Sequence, residues 1–215
     1  MLFKDRKAAG QVLASKLLDY ANCPDVLVLA LPRGGVPVAF EVAQALKVPL
    51  DVLVVRKLGV PDNPELAMGA IASGGVRIIN QQVIDDIKIT NEIIARVAAQ
   101  EQRELERRES IYRGEEPFPE LTGRKVILVD DGLATGATMW AAVIAVRQKS
   151  PQEIVIAVPV AAPETYQQLL PKVEKIVCIS TPSKFYSVGM WYEDFPQTTD
   201  AEVHELLKKS IVNSQ

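Results

Sequence analysis

The sequence predicts an α/β fold: a doubly wound, mostly parallel five-stranded sheet in the order 2-1-3-4-5, with an inserted hairpin and long helix and a C-terminal hood. Three observations predict it. Short apolar runs at residues 25–31, 50–55, 126–130, 154–159 and 175–180 have the character of strands buried on both faces. Helical stretches at about 36–46, 135–149 and 163–170 alternate with them, the rhythm of βαβ units with right-handed crossovers. The turns after the first and third runs carry glycines and charges, and the order 2-1-3-4-5 sets those two strands side by side at the edge where open sheets hold ligands.

The 215 residues suit one domain with a substantial core. We read residues 1–215 as a single unit, with its sheet core at about 25–180, an insertion at about 59–123 and a hood at about 181–215. A hydrophobic content of 48% with 24% charged residues is ordinary for a globular chain. The formal charge of −3, with no basic run, gives a nucleic-acid partner no electrostatic support. No apolar run nears the roughly 20 residues of a membrane span, so a cytoplasmic setting without membrane partners is expected. Cys23 and Cys178 lie far apart and read as reduced thiols rather than metal ligands.

Along the chain, the first twenty residues form an amphipathic helix with charges recurring through it, unlike a signal peptide. The first strand ends in Leu31-Pro32-Arg33-Gly34-Gly35, where two glycines let N–H groups approach an anion and Arg33 offers a planar fork to phosphate oxygens. Arg56-Lys57 follow the second strand and can reach the same anion. Gly59, Pro61, Asn63, Pro64 and Gly69 mark an irregular stretch. Within it Glu65 is either a site acid or a hairpin surface residue. Residues 67–73 and 76–80, joined by Ser73-Gly74-Gly75, read as a hairpin. A charged helix then runs from about Asn91 to Arg113, its opposite charges three or four apart on a solvated face.

The third strand opens the most informative stretch, VILVDDGLATGAT, Val126 to Thr138. Asp130 and Asp131 stand at its carboxyl end, and a loop of small residues and threonines leads straight into a helix. Backbone N–H groups of such a loop, threonine hydroxyls and a helix N-terminus together favour a phosphate. Two acids beside a phosphate cradle suit a ligand with vicinal hydroxyls at a fixed distance from a phosphate, as in a ribose 5-phosphate. The tail packs Phe185, Tyr186, Trp191, Tyr192 and Phe195 into eleven residues. These rings either pin the tail to the core or stack on a heterocycle, with Glu193 or Asp194 accepting its N–H. A helix follows from Thr199 to Val212, carrying the single His204 on a surface expected to be solvated.

This motif resembles the signature of the type I phosphoribosyltransferases, which bind 5-phosphoribosyl 1-pyrophosphate (PRPP). The resemblance covers about residues 25–180 and looks closest to predicted members of undefined acceptor. It implies that Asp130 and Asp131 hold the ribose hydroxyls and, directly or through water, Mg²⁺. It implies that Ala134, Thr135, Gly136, Ala137 and Thr138 wrap the 5-phosphate, and that Arg33, Gly34, Gly35, Arg56 and Lys57 serve the pyrophosphate, Lys57 more than Arg56. Catalysis would rest on Asp130, Asp131, Arg33 and Lys57, with Trp191 and Tyr192 as acceptor contacts. Gly132 departs from the family pattern, which generally has an apolar residue there. Ala134 stands where enzymes of hypoxanthine and guanine carry an Asp, which disfavours a 6-oxopurine. The expected function is Mg²⁺-dependent transfer of the phosphoribosyl group of PRPP to a small nitrogenous acceptor, releasing pyrophosphate. Two alternatives stay open: a non-catalytic PRPP-binding regulator, and an accessory subunit using the long helix. A homodimer is compatible with the first two readings.

Overall fold

The computed structural model describes the backbone of residues 2–212 and, within it, every side chain but those of residues 65, 211 and 212. The central sheet comprises β1 (Val26–Ala30), β2 (Leu50–Val52), β6 (Lys125–Val129), β7 (Glu153–Val160) and β8 (Lys175–Ser180). All four neighbouring pairs are parallel, in the order β2-β1-β6-β7-β8. That is the expected 2-1-3-4-5 arrangement. Every residue of β1 is buried, as is every residue of β6 after Lys125. A strand with both faces covered must be apolar throughout, which is why these runs show no alternation.

Helices cover both faces. On one, α1 (Arg6–Ala14), α2 (Gly35–Leu46), α4 (Asn91–Arg113) and α7 (Asp200–Val212) pack through Leu13, Val42, Leu105 and Val203 over Val28 and Ile127. On the other, α5 (Ala137–Arg147) and α6 (Pro163–Leu169) pack through Met139, Val143 and Leu169 over Leu27, Leu29 and Leu128. The chain ends are joined: Phe3 N–H donates to Trp191 O (2.8 Å), and Glu193 N–H donates to Phe3 O (2.8 Å). The hood is thus built from both ends of the described chain.

The insertion differs from expectation. The second strand ends at Val52, and residues 55–60 start a separate antiparallel sheet: β3 (Val55–Val60), β4 (Asn63–Ala72) and β5 (Val76–Ile79). Residues 59–66, read as irregular, belong to its first hairpin, whose register slips around Gly59. At the crossover the Val54 N–H donates to the buried Ser73 Oγ (3.0 Å), and Ser73 N–H returns a bond to Val54 O (2.9 Å). A short helix, α3 (Gln81–Ile87), capped by Asn80, was not anticipated. Among the described residues no helix is long and apolar enough to cross a membrane.

Candidate functional site

β1 and β6 run in register to Ala30 and Val129, and the chain then leaves both strands at the same edge. The two turns meet there. A Cβ on Gly34 would collide with the Asp131 carboxylate, and one on Gly35 would lie 2.6 Å from Val129 O and 2.9 Å from Asp130 Cα. The Arg-Gly-Gly turn therefore needs glycine to lie flat against the acid pair, in addition to any freedom of its N–H groups. The Pro32–Arg33 peptide is cis.

The acids are bound differently. Asp130 Oδ1 accepts from the Asp131 N–H (2.8 Å). Asp131 Oδ2 accepts from Arg6 Nε (2.9 Å), and its main-chain oxygen accepts from the Tyr192 hydroxyl (2.6 Å). Burial, and then the neighbouring Asp131 charge, push the Asp130 carboxyl well above the ordinary range. Burial also raises Asp131, opposed by the hydrogen bond and charge of Arg6. Adjacent, half-buried carboxylates resist ionising together, so a ligand bringing hydroxyls or a cation would relieve them.

The loop beyond runs from Gly132 into α5. Gly136 takes φ +71°, a left-handed conformation, and no side chain caps the helix it begins. The first-turn amides of α5 are thus left for another acceptor. Ala134, Thr135, Ala137 and Thr138 are exposed around this opening, and the Thr165 hydroxyl braces it by donating to Ala134 O. The departure at Gly132 has a physical reason: a Cβ there would lie 2.6 Å from Val188 Cγ1, so hood and glycine share one space.

Lys57 lies on β3 and, with Ala137 and Thr138, lines a cavity of about 200 Å³ between the small sheet and α5. Arg56, one residue earlier, turns to α4 and donates from Nε to Glu101 Oε2 (2.7 Å). Arg33 stands 3.8 Å from Asp200 Oδ1 at the start of α7, an oxygen that also accepts from the Tyr112 hydroxyl (2.6 Å). The edge of the sheet therefore gathers Asp130, Asp131, Gly34, Gly35 and residues 134–138. Lys57 borders the cradle, Arg33 is drawn toward the hood helix, and Arg56 is engaged elsewhere.

In the tail, Tyr192 is 6% exposed, tilted against Phe3 and Phe195, with its hydroxyl tied to Asp131, which is the packing alternative of the two left open for the tail rings. The solvated surface expected of His204 is corrected: the side chain is half-buried, with an unpartnered, buried Nδ1. Trp191 packs in the Phe3–Tyr192 cluster and buries its Nε1 without a partner. The side chain of Glu65 lies outside the described residues. Sequence reading missed Arg6 at the acid pair. Its position in a charged N-terminal helix carried no hint of a partner 125 residues away. Among the described residues no group of three or more His, Cys, Asp or Glu could cage a metal.

Comparison with known proteins fits this geometry. Residues 3–190 match the model of the phosphoribosyl transferase domain family. Two Mycobacterium tuberculosis proteins, provisionally named phosphoribosyl transferases, are each 45% identical over 210 residues, or 97% of this chain. The chain spans about half of their length, 47%. The crystal structure of TT1426 from Thermus thermophilus is 42% identical and covers 97% of this chain and 99% of its own, with a TM-score of 0.86. AQ2163 from Aquifex aeolicus shares the fold at 15% identity and TM-score 0.53, over 94% of this chain and 84% of that one. The matched region contains the acid pair, the cradle and the Arg-Gly-Gly turn, and the chain belongs to the phosphoribosyl transferase domain family.

Proposed function

We propose that this chain transfers the 5-phosphoribosyl group of PRPP to a small nitrogenous acceptor, releasing pyrophosphate. One observation carries the reading: the half-buried Asp130–Asp131 pair leads within one loop into the uncapped N-terminus of α5. In this reading the acids take the ribose hydroxyls, while residues 134–138 and the α5 amides take the 5-phosphate. Gly34, Gly35 and Lys57 face the diphosphate, joined by Arg33 once a ligand draws it from Asp200. As the C1–diphosphate bond breaks, charge develops on ring and leaving group together, and a fixed array of acids on one side and donors on the other favours that separation.

The donor set fits Mg²⁺. Two adjacent carboxylates supply the hard oxygen donors that Mg²⁺ takes, and an ion that keeps several waters needs only one or two of them. Asp130 and Asp131 would hold it, directly or through water, and when bound it would offset the diphosphate charge.

The test is calorimetric titration with PRPP and Mg²⁺, followed by pyrophosphate release across a panel of nitrogen bases. Binding and release with one acceptor would support the proposal. Binding without release from any base would favour a PRPP-binding regulator, and no binding would overturn the assignment of Val126–Thr138.

A further inference from the structure

Arg6 is the first residue of α1, and its backbone is set by Asp5, whose Oδ1 accepts from the Ala8 N–H (2.7 Å). The helix beneath is rigidly seated, with Ala9, Gly10, Leu13 and Ala14 buried. From that base the guanidinium makes three contacts. Nε donates to Asp131 Oδ2 (2.9 Å), Nη1 donates to Pro196 O (2.6 Å), and the group lies 3.8 Å from the centroid of the Phe195 ring. The side chains of Arg6 and Asp131 are only 11% and 15% exposed. Asp131 Oδ2 is enclosed on its other flank by Gly34. Backbone bonds from Phe3 to Trp191, from Glu193 to Phe3 and from Asp194 to Lys4 (2.9 Å) complete the join.

We propose that Arg6 is a positioning residue that clasps the hood to one acid of the pair. It fixes the plane of the Asp131 carboxylate for the ribose and makes the segment 191–196 move with that carboxylate. The inference rests on the transferase reading for its ribose and on geometry alone for its clasp. It also divides the acids by task. Asp131 faces the ribose while bonded to Arg6 and Tyr192, whereas the hydrogen bond of Asp130 Oδ1 runs to the Asp131 amide rather than to the hood. A planar fork suits the role because it can bond two acceptors while stacking on a ring; an ammonium offers a point charge without that geometry.

The test pairs hydrogen exchange at the Phe3, Glu193 and Asp194 amides with calorimetric binding of metal-free ribose 5-phosphate. Arg6→Gln and Asp131→Asn should each speed exchange at these amides about tenfold or more, and the double variant should add little. Asp130→Asn should leave that exchange unchanged while weakening ribose 5-phosphate. Arg6→Gln should weaken ribose 5-phosphate about tenfold. Arg6→Lys retains the charge without the fork, so it should both speed hood exchange and weaken ribose 5-phosphate, though less than Arg6→Gln does. It also keeps the comparison available if the Gln variant does not fold. Wild-type exchange in Arg6→Gln, or equal opening by Asp130→Asn, would overturn the clasp. Unchanged affinity in Arg6→Gln would overturn the positioning role. If the wild-type protein binds no ribose 5-phosphate, the transferase reading fails, and the exchange rates alone judge the clasp.

Discussion

The seat of the hood can be tested where Gly132 meets Val188. A Cβ at 132 would lie 2.6 Å from Val188 Cγ1, 2.9 Å from Cγ2 and 3.1 Å from Val160 Cγ1. Backbone conformation does not forbid alanine there, since Gly132 is absent from the positive-φ residues. Gly132→Ala must therefore push Val188 outward by about 1 Å, an overpacking strain of about 1–3 kcal/mol. Alanine also removes freedom from the unfolded chain, which returns about 0.4–1 kcal/mol. The net expectation is a loss of about 1–2 kcal/mol, a fall in Tm of roughly 2–8 °C at this chain length.

The sharper expectation is a change of sign. Val188 is half-buried, so Val188→Ala alone should cost about 1 kcal/mol in lost apolar contact. With both valine methyls gone, the two atoms nearest a methyl at 132 are removed and Val160 Cγ1, at 3.1 Å, is the next. In that background Gly132→Ala should be neutral or stabilising by about 0.5 kcal/mol, giving a coupling of about 1–2 kcal/mol. Urea denaturation of the four proteins measures this directly. Additive losses would refute the shared-space explanation, and with it the reason offered for glycine at an otherwise apolar position of the motif.

Other perturbations read other parts of the site. Asp130→Asn should raise the stability of the ligand-free protein at pH 7. Because the folded pKa lies above the unfolded one, the native state holds a proton that the unfolded chain releases, and stability falls as pH rises above about 4. The gain should shrink toward zero in melts at pH 4 and below; a gain independent of pH would place the cost elsewhere. Tyr192→Phe should lose about 0.5–1.5 kcal/mol in urea melts through the missing bond to Asp131 O, and no loss would make that bond incidental. Lys57→Ala should weaken pyrophosphate binding more than ribose 5-phosphate binding, whereas Arg56→Met, which breaks the contact with Glu101, should leave both within about twofold. Equal effects of the two variants in calorimetry would return Arg56 to the ligand.

The sheet was legible because a buried parallel strand has no polar face to disguise it, so Val126–Val129 and Val26–Ala30 stand out as continuous apolar runs. The cradle was legible because its parts are consecutive: carboxylates, small loop and helix start fall within thirteen residues. The first hairpin of the small sheet was not. Pro61, Asn63 and Pro64 read locally as breakers, yet β3 and β4 pair around them because Leu58 and Met68 are buried against the core. Arg6 and the Arg33–Asp200 contact were hidden for a related reason, since each joins the site to a terminal element far away in sequence. Tyr192 was seen but left open between two roles: an aromatic in a tail looks the same whether its hydroxyl meets a base or the backbone of Asp131.

The unmet demands of the site lie close together and are complementary. The acid pair is largely withdrawn from water, and Arg6 bonds Asp131 but reaches Asp130 only through its charge, so Asp130 is left seeking a hydroxyl or a cation. A few residues later the α5 amides lack the cap that α1, α3 and α4 each take from Asp5, Asn80 and Thr90, so that end seeks an anion. Neither want stabilises the fold: Asp130→Asn would remove the first, whereas a side chain at Gly136 is opposed by its φ of +71° and by Thr165 Cγ2, 2.5 Å from where a Cβ would lie. Their juxtaposition within one loop suits a ligand that meets both at once, with a diol on one side and a phosphate a fixed distance away. The same logic orders the expected losses. Removing the acid should abolish recognition of the diol while leaving inorganic phosphate binding at α5, and loss of both from Asp130→Asn in calorimetry would show the two halves to be one cooperative site.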